Sequence, residues 1–143
     1  MAIVSSGILM AQKDASISLS FNHMAFSVTD IDRSASFYRD VVKLTEITNR
    51  TKNASIRWFS LGEGKELHLI SGQEGKVIIN KAVHLGLACS NFDAFVKMLD
   101  ASNIQYSDWP GTIHKINVRA DGIKQIYFQD PDGYWIEINN ASQ

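Results

Sequence analysis

The 143-residue sequence predicts an α+β fold of two tandem βαβββ modules, with a curled mixed-sheet cleft inside and the helices outside. Two internal recurrences carry that prediction. Residues 21–38, FNHMAFSVTDIDRSASFY, and 82–99, AVHLGLACSNFDAFVKML, share a strand-then-helix pattern when His23 is laid on His84, an offset of 61. That offset also pairs Phe26 with Leu87, Asp32 with Asp93 and Tyr38 with Leu99. Farther along, WFSLGEGKELHLI (58–70) matches YFQDPDGYWIEIN (127–139) at an offset of 69, each a strand, a tight glycine turn and a strand. The difference between the offsets falls most naturally in the loop around Asp108–Trp109–Pro110–Gly111, because a longer loop adds little closure entropy.

In chain order, residues 1–20 read as an N-terminal arm. Its apolar run lacks preceding Lys or Arg and is too short to span a membrane. The cytoplasm is the default expectation, and a periplasmic or secreted location follows if residues 1–12 are the remnant of a signal. The first module covers 21–71. Its helix starts with Asp30 or Asp32 as N-cap and is expected to reach about Leu44, with Ala35, Tyr38, Val41 and Val42 as the apolar stripe. Residues 72–81 form a linker. The second module covers 82–141, where Ser90 or Asn91 caps a helix whose Phe92, Phe95, Val96 and Leu99 recur at helical spacing. Asp121–Gly122 and Asp130–Pro131–Asp132–Gly133 signal turns between short strands rich in Ile, Val, Tyr and Phe.

Composition narrows the function. The chain is 45% hydrophobic and 20% charged, with 14 Lys plus Arg against 15 Asp plus Glu, so no cationic excess favours nucleic acid or an anionic membrane. A single Cys89 excludes an intrachain disulfide and a thiolate zinc or iron–sulfur site. A metal would have to sit on His and carboxylate.

The repeat selects such a set. His23 and His84 are equivalent on the first strands, and His68 and Glu137 are equivalent on the last. Sheets curled about a pseudo-twofold axis would bring these positions together. Three imidazoles and a carboxylate suit zinc, nickel, iron(II), cobalt or manganese. His114 has no repeat partner and is read as an ordinary histidine. Glu66 shares a strand face with His68 but aligns with Trp135, so it is assigned to the pocket with Trp58 and Tyr127.

These residues resemble the vicinal oxygen chelate superfamily of glyoxalase I, extradiol dioxygenases and the fosfomycin- and bleomycin-resistance proteins. The resemblance covers 21–140 and rests on His23 in FNHMAFSVTDIDRSASFYRDV, His84 in VHLGLACSNFDAF and Glu137 in QDPDGYWIEINN. Glyoxalase I-like members match best in length and four-ligand plan. Three departures stand out: His68 where that pattern has Glu, Lys43 where it has Gly, and Ala82–Val83 where Gly precedes the second histidine.

The resemblance implies a divalent-metal lyase or isomerase of the lactoylglutathione lyase kind, acting on a small substrate with adjacent oxygens. The metal would stabilise an enediolate, and Glu137 would loosen to act as base. It also implies two alternatives. One is an iron(II) extradiol-type dioxygenase on His23, His84 and Glu137; the other is a non-enzymatic drug- or metabolite-binding protein. A homodimer is expected, in which the two halves of a site can come from different subunits.

Overall fold

The computed structural model describes residues 17–142. The elements run β1 (His23–Val28), α1 (Ile31–Asp40), β2 (Thr45–Ile47), β3 (Ile56–Gly62), β4 (Lys65–Ser71), β5 (His84–Ala88), α2 (Phe92–Ala101), β6 (Asn117–Val118), β7 (Lys124–Gln129) and β8 (Trp135–Asn139). They form two four-stranded mixed sheets of identical order, β1-β4-β3-β2 and β5-β8-β7-β6, in which the first strand is an edge strand paired in parallel with the last. This is the vicinal oxygen chelate architecture. Most of the predicted arm, residues 1–16, lies outside the described residues. Among the described residues no helix is long and apolar enough to cross a membrane.

Each sheet turns one face to its helix. Phe26, Val28, Phe59, Leu67 and Leu69 of the first sheet, and Leu85, Ile126, Phe128, Ile136 and Ile138 of the second, join Tyr38, Phe95 and Leu99 in one buried cluster. Asp30 caps α1 by accepting from the amides of Asp32 and Arg33, and Asn91 caps α2 by accepting from Ala94. These bonds decide between the alternatives open in each pair.

The first helix is shorter than expected. It stops at Asp40, and Val41 and Val42 both turn their N–H groups to the Phe37 carbonyl. Lys43 then takes a left-handed conformation, φ 68°, which lets Leu44 bond back to the Tyr38 carbonyl. The apolar stripe continues past the helix because Val42 packs in the core from the turn. Position 43 is where the family pattern has glycine, the residue that meets this φ without strain. Asn103, φ 53°, makes the equivalent turn after α2.

The two modules are joined through the Asp130–Gly133 turn. Asp132, fully buried, accepts from the Thr29 amide at 2.9 Å, the Thr29 hydroxyl at 2.6 Å and the Ser34 hydroxyl at 2.6 Å, all around the start of α1. Asp130 accepts from the Tyr38 hydroxyl at 2.8 Å, and Tyr134 stacks on Phe26 with ring centroids 4.1 Å apart. The linker crosses over the same turn, the Val77 amide donating to the Asp132 carbonyl at 2.7 Å. Gly133 permits that crossing: its φ is +103°, and a Cβ there would run into the Val77 carbonyl oxygen.

Burial pushes the Asp132 carboxyl up, but the bonds from Ser34 and Thr29 outweigh it and hold the group below its ordinary value of 3.8. Asp132→Ala strands two hydroxyls and an amide and is expected to cost about 3 kcal/mol in urea unfolding. Asp132→Asn should cost less. Because the folded-state value is depressed, the carboxylate's contribution is full above the unfolded-state value and fades as pH falls through the folded-state value. The stability gap between wild type and Asp132→Asn should therefore narrow on acidification below about pH 4. Gly133→Ala is expected to lower the midpoint as well, since both its φ and its neighbour oppose a side chain.

Candidate functional site

The strand registers place the expected residues in matching positions. Ala25 lies opposite His68 and Gly86 opposite Glu137, so each last-strand residue pairs two positions after the first-strand histidine. Trp58 pairs with His68 and Tyr127 with Glu137. These side chains share the sheet face turned away from the helix.

In the first module, His23 Nδ1 lies 2.7 Å from Asn22 Oδ1, an acceptor, so Nδ1 bears the hydrogen and Nε2 keeps a lone pair. Its ring stacks on His68, centroids 4.5 Å apart and planes 13° from parallel. His68 stacks in turn on Trp58 at 4.3 Å and 7°. His68 Nε2 donates to Glu66 Oε2 at 2.8 Å, and Arg50 reaches the other oxygen of Glu66 at 2.8 Å while its guanidinium carbon lies 4.4 Å over the Trp58 ring. Glu66 is held below the ordinary carboxyl range by the bonds from His68 and Arg50. Among the described residues, Trp58 Nε1 is the one buried side-chain polar atom without a partner.

In the second module, His84 Nδ1 donates to the Lys81 carbonyl at 2.8 Å, leaving an Nε2 that faces Glu137 Oε2 at 3.2 Å. Glu137 is buried, and its Oε1 accepts from the Gln125 and Asn139 amides, both at 2.7 Å. Burial pushes its carboxyl up, but bonds from Asn139, Tyr127 and Gln125 outweigh that and hold it below the ordinary range. Burial, followed by Glu137, drives the Tyr127 phenol well above its ordinary value. Trp109, 46% exposed, stands edge-on to both His84 and Tyr127, at 6.4 and 5.4 Å. Its loop is tied down by Lys81, whose ammonium donates to the Ser107 hydroxyl and to the carbonyls of Asp108 and Trp109 and lies over the Tyr127 and Trp135 rings.

The chain therefore assembles two half-sites, His23 with His68 and His84 with Glu137. Among the described residues no three His, Cys, Asp or Glu side chains come close enough to share a metal ion. The expected convergence of His23, His68, His84 and Glu137 is not formed within one chain, because the modules meet through α1 and the Asp130–Gly133 turn while the histidine-bearing edges β1 and β5 remain unpaired on one side. Glu66 and Trp58 buttress His68, and Tyr127 flanks Glu137. His114 instead faces Asp100 on the surface at 3.2 Å. Residue-type reasoning missed Lys81, Arg50, Gln125 and Asn139. Asn139, two residues beyond Glu137, and Gln125, two residues before Tyr127, carried a strand-face signal; Lys81 and Arg50 reach the site from loops.

The chain belongs to the Glyoxalase/Bleomycin resistance protein/Dioxygenase superfamily, which it matches over residues 20–138. Among particular relatives, it is 32% identical over 125 residues to the metallothiol transferase FosB of Shouchella clausii (strain KSM-K16), covering 85% of this chain and 80% of that one. It is 27% identical over 129 residues to glyoxylase I 4 of Arabidopsis thaliana, covering 85% and 71%. The structure of oxidase ChaP-H2 superposes with a TM-score of 0.68 at 20% identity, covering 88% of this chain and 96% of that one.

Removing an amide that anchors Glu137 should loosen its carboxylate without unfolding the protein. Gln125→Leu is expected to raise the Glu137 carboxyl toward its ordinary value, read by carboxyl ¹³C resonances on pH titration, with an unchanged circular dichroism spectrum.

Proposed function

We propose that this protein is a metal-dependent transferase that joins a thiol to a small oxygen-bearing electrophile, at a divalent ion held by His84 and Glu137 of one chain and His23 of a second copy. The observation that carries this reading is the 3.2 Å approach of His84 Nε2 to Glu137 Oε2. With Nδ1–H committed to the Lys81 carbonyl, His84 points Nε2 at an anionic oxygen, and a divalent ion can take the place of a proton between the two. Two donors that each lie about 2.1 Å from one ion are about 3.0–3.4 Å apart at octahedral or tetrahedral angles, so the pair is already spaced as ligands of one ion. Imidazole and carboxylate suit zinc, iron(II), nickel, cobalt or manganese.

His23 supplies a third donor with its lone pair likewise set by a neighbour. The second copy is supported by the chain's open edges. A groove of about 930 Å³ runs along β5. The segment before β1 exposes Ile17, Leu19 and Phe21 at alternating positions. Pairing β1 of one copy beside β5 of the other would join the half-sites and cover that apolar edge.

When bound, the ion supplies Lewis-acid polarisation of the electrophile's oxygen. Glu137, pinned by Gln125 and Asn139 and kept ionised, acts as a fixed anionic ligand; those bonds oppose the swing that an isomerase base on this residue requires. Trp109 and Tyr127 wall the site and take the substrate's apolar part. The 32% identity to a metallothiol transferase supports thiol transfer. The lyase reading keeps the support of the Arabidopsis glyoxylase.

Three assays on metal-loaded protein separate the classes. Loss of free thiol from glutathione or cysteine with a small epoxide is the expected result. Conversion of a methylglyoxal–glutathione hemithioacetal without thiol addition overturns it in favour of the lyase, and oxygen uptake with iron(II) and a catechol overturns it in favour of the dioxygenase. The shared site has its own test. His23→Ala and Glu137→Gln should each be inactive, and mixing them through denaturation should restore roughly a quarter of the wild-type sites, since half the random dimers carry one intact site of two. Absence of recovery overturns the two-chain site.

A further inference from the structure

Resting on that metal reading, we infer that His68 is not a metal ligand but the shelf that orients His23, a positioning residue held in a closed circuit with Glu66, Arg50 and Trp58. An ion bound by imidazole lies in the plane of the ring, along the nitrogen lone pair. The His23 and His68 rings are stacked only 13° from parallel, centroids 4.5 Å apart, so they occupy separate planes and no single ion lies in both. One of the two must therefore stand aside, and their places in the sheet and in the stack say which. His23 gives up Nδ1 to Asn22 and keeps Nε2 open. His68 lies one strand further in on β4, sandwiched between His23 and Trp58 with Nε2 given to Glu66, whereas His23 ends the stack on the exposed edge strand beside which the second copy would pair.

The rest of the circuit fixes the shelf. Arg50 bonds Glu66, Glu66 bonds His68, His68 stacks on Trp58, and Trp58 carries Arg50 on its face. Each member is restrained by two others, so the ring plane presented to His23 is set twice over, by stacking and by hydrogen bonding. The arrangement leaves the buried Trp58 Nε1 without a partner, which locates the role of Trp58 in its ring faces. The second module has no equivalent: Tyr127 stands at 80° to His84, and a carboxylate occupies the position of His68.

His68→Phe keeps a flat ring but can neither ligate nor bond Glu66, whereas His68→Ala removes the shelf. With cobalt(II) as probe, His68→Phe should retain the visible spectrum and bind within about threefold of wild type, while His68→Ala should bind roughly 10–100-fold more weakly, as removal of a group supporting a ligand does. An altered cobalt spectrum in His68→Phe, with affinity lost as fully as in His84→Ala, overturns the inference and leaves the metal reading standing. A measurement on the unaltered chain covers the case in which a variant fails to fold. In zinc titration followed by histidine ¹⁵N resonances, one nitrogen each of His23 and His84 should shift as ligands and neither nitrogen of His68 should. A ligand-type shift at His68 overturns the inference, and no shift at His23 or His84 overturns the metal reading itself.

Discussion

The buried carboxylate of Asp132 is the constraint on which the arrangement of this molecule depends. It lies in the second module but is neutralised by hydrogen bonds around the first turn of the first module's helix, from Thr29 and Ser34, with Arg33 reaching it at 3.3 Å. A buried anion with such donors is stable only where all of them are present, so the two modules hold one relative position. Asp130 and Tyr38 repeat the joint one helical turn farther along. The same turn leads directly into β8, so the position of Glu137 follows from it, and Gly133 lets the linker cross close enough for Trp135 to donate to the Ile79 carbonyl at 3.2 Å.

That joint has a chemical consequence. Packing the modules through a helix and a turn leaves both histidine-bearing edge strands on the outside, and so divides the expected ligand set. The two halves then meet the same electrostatic question in different ways. His84 and Glu137 face one another across 3.2 Å with the outer atoms of both already committed, leaving Nε2 and Oε2 turned to each other. Around His68 the carboxylate, guanidinium, imidazole and indole satisfy one another. His23, at the exposed end of that stack, presents an unused nitrogen on the edge strand.

Much of this was legible from residue order. A repeat with His23 on His84 and His68 on Glu137 implies identical strand orders, and the sheets have them, with cross-strand partners displaced by the same two residues in each module. The DPDG motif was legible as a turn, but its role as the joint between modules was not, because the partners Thr29 and Ser34 lie about a hundred residues away and carry no spacing signal. The end of α1 departs from the apolar pattern for a local reason. Val41 and Val42 continue the apolar pattern, yet Val42 packs into the core from a non-helical turn, so burial there outruns the helix.

By itself the sequence determined the α+β class, the two modules, the superfamily, and the identity of the groups on the cleft faces. These follow from patterns with a fixed period or a fixed offset, which pleat and helix geometry turn directly into placement. Only the tertiary structure decided which histidine nitrogens are free, that His68 is stacked and hydrogen-bonded, that Glu137 is pinned by Gln125 and Asn139, and that the two half-sites lie apart within one chain. Those outcomes depend on ring planes, on donors drawn from other strands and loops, and on one buried carboxylate joining the modules. Such contacts leave no periodic trace in the order of residues.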